Sequence, residues 1–132
     1  MGRIMGRKQK TTLLVVDPET QVCRALVRVL RRHFDAVVAA ADLEEARAAL
    51  AAHPVTHLLC DEDLVSSLPD GLALIANWRA VRPSIQRAVV LSGSDSGVQD
   101  LPAGVDGVLN KSSGRDEILS GLDTLPPPPA GD

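Results

Sequence analysis

At 132 residues the chain is the size of one domain, long enough to bury a core without disulfide or metal staples. Its 45% hydrophobic and 23% charged residues predict a soluble globule, and no apolar run approaches the ~20 residues that a membrane span needs. A formal net charge of -3, with Trp78 and Phe34 the only aromatics, leaves no basic aromatic surface on which nucleic acid could stack, so direct nucleic-acid binding is not expected.

The segment 1–10, MGRIMGRKQK, is basic and aperiodic, and is expected to be a disordered arm or an expression remnant. It contains no apolar signal segment, and Gly6 stands where a myristoylation signal has Ser or Thr, so a cytoplasmic location is expected. Leu13 to Val16 is a four-residue apolar run predicted as the first strand. Asp17-Pro18-Glu19 then reads as a helix start, with Asp17 at the N-cap, Pro18 at the first helical position and Glu19 near the positive dipole end. Val22, Leu26, Val29 and Leu30 recur at helical spacing, and Arg24, Arg28, Arg31 and Arg32 fall on the wet face.

Ala36 to Ala40 predicts the second strand. Asp42 caps a helix that carries Leu43, Ala46 and Leu50 and is broken by Pro54. His57 to Cys60 is the third strand, followed by the acids Asp61, Glu62 and Asp63. The Asp70-Gly71 turn opens a helix with Leu74, Trp78 and Val81 on one face, closed by Arg82-Pro83. Ala88 to Leu91 and Val105 to Leu109 are the fourth and fifth strands. The Gly-rich stretch between them, which contains Pro102, predicts a short or irregular helix. Ser113 with Asp116 resembles a capping box for a last helix carrying Ile118, Leu119, Leu122 and Leu125, and Pro126 to Pro129 begin an extended tail. Residues 11–125 are therefore expected to form the folded domain, flanked by the arm 1–10 and the Pro-rich tail or linker 126–132.

Cys23 and Cys60 lie far apart, with neither a CxxC nor a His at metal-ligand spacing, and read as reduced, buried small hydrophobes. His33, His53 and His57 share no motif and read as surface or strand-edge residues. Strands without polar alternation need cover on both faces, and their alternation with helices makes the sheet parallel with right-handed crossovers. The expected fold class is α/β, a doubly wound five-stranded parallel sheet. Functional groups in such folds gather beyond the carboxyl ends of the strands. Asp17, Asp61, Ser92 and Lys111 follow the first, third, fourth and fifth strands, which brings acid, acid, hydroxyl and amine to one rim.

From Leu13 to about Leu125 this pattern resembles a response-regulator receiver domain of two-component signalling, and the match of all four positions is far more specific than any one. The resemblance implies a flavodoxin-like sheet of order 2-1-3-4-5. It implies that Asp61 is the phosphoacceptor in a phosphorelay, that Ser92 and Lys111 hold the phosphoryl oxygens and switch the conformation, and that Mg²⁺ is held by Asp17, Asp61 and the backbone carbonyl of Asp63. The partners so implied are a histidine kinase or phosphotransfer domain and a downstream effector protein. Such a domain is a phosphoacceptor that promotes its own phosphorylation and dephosphorylation, not an enzyme acting on a separate substrate.

The chemistry suits the residues. A carboxylate attacking a phosphoryl group needs a cation against the developing charge, and Mg²⁺ takes oxygen ligands while keeping several waters. Lysine offers a point charge to a phosphoryl oxygen. Four departures from the family pattern stand beside the match: Pro18 occupies the place of a second acid, so the metal is expected to bind weakly; Ser112 replaces the Pro after the lysine; Val108 replaces an aromatic switch residue; and the loop from Asp61 to Asp70-Gly71 runs about two residues longer than is common. They keep open a pseudoreceiver, a phosphorylation-independent interaction module on the same fold. A phosphatase built on Asp61 and Asp63 is disfavoured, since the sequence offers no cap domain and no Gly-rich phosphate loop.

Overall fold

The apolar runs pair as a parallel sheet in the computed structural model, which describes residues 10–66, 71–93 and 103–122. The strands are β1 (Thr12–Val16), β2 (Ala36–Ala40), β3 (His57–Asp61), β4 (Arg87–Ser92) and β5 (Gly107–Asn110), in spatial order β2-β1-β3-β4-β5. The described helices are α1 (Thr20–Leu30), α2 (Leu43–Ala52), α3 (Glu62–Ser66), α4 (Gly71–Val81) and α5 (Arg115–Gly121), with a 3-10 turn at Arg31–His33. This is the doubly wound architecture expected from the alternation of strand and helix, in the flavodoxin-like order that the receiver resemblance implied.

Because successive strand side chains point to opposite faces, the all-apolar strands feed two cores. Leu14, Val16, Leu58, Cys60, Ala88 and Val90 pack on one face against Leu50, Ile75 and Trp78 of α2 and α4. Leu13, Val15, Leu59, Val89 and Leu91 pack on the other against Cys23 and Leu30 of α1 and Ile118, Leu119 and Leu122 of the α5 region. Both cysteines are free and buried. None of the helices, among the described residues, is long and apolar enough to cross a membrane.

Several local readings are corrected. The first helix starts at Thr20, not beside Asp17: Glu19 is the N-cap, and the Asp17 Oδ1 accepts a 2.8 Å hydrogen bond from the Glu19 N–H. That side chain closes a turn of its own, which delays helix entry. Asp42 does cap α2, accepting from the Glu45 N–H at 2.8 Å while Glu45 Oε1 accepts from the Ala41 N–H at 2.7 Å. The last helix is capped one residue later than Ser113 and Asp116 suggested: Gly114 is the N-cap, and its N–H donates to Glu117 Oε1 at 3.3 Å. The stretch after Asp61 is not wholly loop, since α3 begins directly from β3.

Val29 and Val81, placed on apolar faces by spacing, are 41% and 78% exposed because each lies near a helix end that overhangs its core. His57 is 5% exposed, not at the surface, because β3 is the central strand and is covered on both sides. Its ring meets Phe34 edge-on at 5.2 Å, and its Nδ1 lies 2.8 Å from Thr56 Oγ1. The basic arm 1–9, Asp70, the expected fourth-helix segment 94–102, Leu125 and the Pro-rich tail lie outside the described residues.

Candidate functional site

Parallel pairing fixes where the polar residues emerge. The register sets Val16 beside Cys60, Asp61 beside Leu91 and Ser92 beside Asn110, so the residues that end these strands share one edge. Asp17 follows β1, and its N–H donates to the Ala40 carbonyl at 3.0 Å. Asp61 ends β3, Ser92 ends β4, and Lys111 follows β5 with its N–H on the Ser92 carbonyl at 2.8 Å.

The structure brings Asp17, Asp61 and Lys111 into direct contact. The Lys111 ammonium lies 2.5 Å from Asp61 Oδ1, 3.5 Å from Asp17 Oδ2 and 3.4 Å from Glu19 Oε1. Asp17, Asp61 and Ser92 are 1%, 2% and 3% exposed, so these charges act where water screens them poorly. Burial raises the Asp17 carboxyl above its ordinary range, against the pull of the Glu19 N–H and the Lys111 charge, and the Asp61 carboxylate adds to the rise. Burial would lower the Lys111 ammonium, but close contact with Asp61, the charge of Asp17 and Glu19 together hold it above the usual lysine range. Under this cluster, burial pushes the Cys60 thiol up to about 12, with Asp61 and Asp17 acting in the same sense, so it stays protonated and unreactive.

Ser92 reaches the same rim with its hydroxyl engaged: its Oγ donates to Glu62 Oε1 at 2.9 Å. Glu62 stood out in the sequence only as one of three acids after the third strand, read as a solvated charge with no part in the site. The signal that finds it is register, because the residue after Asp61 faces the residue after Leu91, which is Ser92. Asp63 lies in the first turn of α3 with an exposed side chain.

Two observations bear on a divalent cation. Among the described residues, Asp17 Oδ2 and Asp61 Oδ1 are buried acceptors that receive no well-directed hydrogen bond and meet the Lys111 charge. Such oxygens suit a hard cation. Among the described residues, however, no group of three or more His, Cys, Asp and Glu side chains is placed to hold a metal, so a cation here would meet two buried carboxylates and would need backbone and water for the rest of its shell.

No family model matches the chain. It is similar to the hydrogenase transcriptional regulatory protein HoxA of Cupriavidus necator, with 37% identity over 102 residues that cover 77% of this chain and 20% of that protein. It also superposes on a response regulator protein from Burkholderia pseudomallei, solved with a phosphorylated aspartic acid, calcium ion and citrate, at 29% identity and a TM-score of 0.72. That match covers 86% of this chain and 66% of the other. The chain is a response-regulator receiver domain. The receiver spans only a fifth of the length of HoxA and about two thirds of the Burkholderia chain. The same fold recurs in a response regulator from Thermotoga maritima (23% identity, TM-score 0.71, covering 87% of this receiver and 96% of that chain). It recurs again in a CheY-like receiver domain protein from Methanospirillum hungatei (21% identity, TM-score 0.70, 87% and 92% covered).

Proposed function

We propose that this receiver accepts a phosphoryl group on Asp61 from a histidine kinase or phosphotransfer domain and passes the change to an effector protein through Ser92 and Lys111. One observation carries this reading: a buried carboxylate at the end of β3 lies 2.5 Å from the only ammonium on the rim among the described residues, with a second buried carboxylate beside both. The attack forms a bond from an Asp61 oxygen to phosphorus as the donor's bond to phosphorus breaks, and the donor leaves with that electron pair. Lys111 meets the charge on the transferred oxygens. Ser92 breaks from Glu62 and donates to a phosphoryl oxygen instead, drawing the end of β4 with it. Asp17, Asp61 and the Asp63 carbonyl would hold Mg²⁺, which would supply positive charge against the approach of two anions. Similarity to HoxA supports an effector concerned with transcription, and a cytoplasmic location follows from the same reading.

A second reading, the pseudoreceiver, draws on Pro18 and on the lack of a three-side-chain metal group among the described residues. Intact mass after incubation with Mg²⁺ and acetyl phosphate separates the two. A phosphoryl adduct on wild type that is absent from Asp61→Asn and from EDTA-treated samples is the expected result. Absence of an adduct together with failure to bind beryllofluoride would leave the pseudoreceiver.

A further inference from the structure

Beside the acidic rim, between α1 and the end of β2, lies a cleft of about 560 Å³. Small residues open it: Ala39, Ala40 and Ala41 stand in succession where strands usually carry larger β-branched residues, and the space they leave opens against Val27 of α1. The volume lies within the range of small-ligand pockets. Along one wall run Arg24, Arg28 and Arg31, spaced i, i+4 and i+7 on α1, which spreads three guanidinium groups over about 10 Å of helix. All three are exposed, and among the described residues none makes a hydrogen bond or ion pair to another side chain. Like charges at these spacings repel, and α1 has no acid in its first turn to relieve them.

The two acids that border the cleft are already occupied. Asp17 turns its oxygens to the Glu19 N–H and to Lys111, and Glu45 holds the Ala41 N–H. The remaining unmatched charge is positive and sits over an apolar floor. We infer that this cleft binds a small amphipathic anion, a compact apolar or aromatic body carrying carboxylate, sulfonate or phosphate groups. The body fills the space left by the alanines, and the anionic groups take bidentate hydrogen bonds from the arginines. The inference is independent of phosphorylation at Asp61.

The test is a fluorescence titration of the full chain with 1-anilinonaphthalene-8-sulfonate, compared with the uncharged N-phenyl-1-naphthylamine and with pyrophosphate, which has charge but no apolar body. Saturable one-to-one binding is expected. It should weaken by at least about tenfold when Arg24→Gln, Arg28→Gln and Arg31→Gln are combined, and by a similar factor with Ala39→Leu, which fills the floor from an exposed strand position. The uncharged dye and pyrophosphate should each bind more weakly than the anionic dye. Thermal melts establish that the variants are folded. Binding unchanged by both sets of substitutions overturns the inference. So does loss on arginine substitution with no response to Ala39→Leu, which would mark a charged surface without a pocket. Displacement of the dye by a hexaglutamate peptide but not by pyrophosphate would replace the small anion with an acidic protein segment, and also overturns it.

Discussion

On the proposed reading, the Ser92–Glu62 hydrogen bond restrains the serine hydroxyl, and removing it should move the domain toward the conformation that phosphorylation would favour. In the structure the Ser92 Oγ donates to Glu62 Oε1 at 2.9 Å, so the hydroxyl must leave this acceptor before it can serve a phosphoryl oxygen. A hydrogen bond to a carboxylate contributes about 1.5–3 kcal/mol when buried. Glu62 is partly exposed, so solvent screening brings the figure to about 1 kcal/mol. Glu62→Ala should therefore shift the equilibrium by a factor of about five. The assay is titration with beryllofluoride, a stable mimic of the acyl phosphate, in the presence of Mg²⁺, where half-saturation should fall about fivefold. Removing a negative charge near an anion would also tighten binding without any role for the serine. A double-mutant cycle separates the two effects, since the gain should vanish in a Ser92→Ala background if it acts through the hydroxyl. A gain that persists in that background, or none in either, refutes the restraint. Failure of wild type to bind beryllofluoride at all would refute the phosphoacceptor assignment instead.

Asp17→Asn should raise stability near neutral pH by about 1 kcal/mol while abolishing adduct formation, because Asn keeps an oxygen for the Glu19 N–H but removes a buried charge. The sign follows from burial: it raises the Asp17 carboxyl, so the stability this group contributes is fully present below its ordinary value of 3.8 and is lost as pH rises through the raised value. Urea unfolding across that window should show the gap between variant and wild type opening with pH, and a constant gap would contradict the assignment. Gly104→Ala should cost about 1–3 kcal/mol, since φ is +81° and an added Cβ would meet the backbone of Ala76 at 2.8 Å. An unchanged unfolding midpoint would show that this close approach is not maintained in solution.

Fold and site were unequally legible. Unbroken apolar runs declared buried strands, and strand-helix alternation declared parallel order, because both are periodicities that one sequence carries in full. The positions of Asp17, Asp61, Ser92 and Lys111 followed from the same rule, as each stands at the end of a run. Helix starts were less legible. Asp17-Pro18-Glu19 has the composition of an N-cap, but Asp17 is drawn into a turn of its own, and the competition between those two local hydrogen bonds is decided by the surrounding fold. Glu62, His57 and the alanine cleft depend on which elements become neighbours. Their roles come from register and sheet order, which spacing along the chain does not encode.

Pro18 and Glu19 show how the departure from the family pattern works physically. A proline in the place of the second acid brings no ligand and no N–H, so the first amide that the Asp17 side chain can hold is that of Glu19. That bond keeps residues 17 to 19 out of the helix and leaves the Glu19 carboxylate at the rim, 3.4 Å from Lys111. Three carboxylates, Asp17, Glu19 and Asp61, then face one ammonium, so the rim keeps an excess of negative charge despite the loss of the acid at position 18. The excess opposes any incoming phosphoryl group until a cation offsets it. What Pro18 removes is position: the surviving third acid is 66% exposed, and its charge is correspondingly screened. On the proposed function the rim would thus retain its electrostatic demand for a dication with fewer acids to hold it, and phosphorylation should depend steeply on metal concentration.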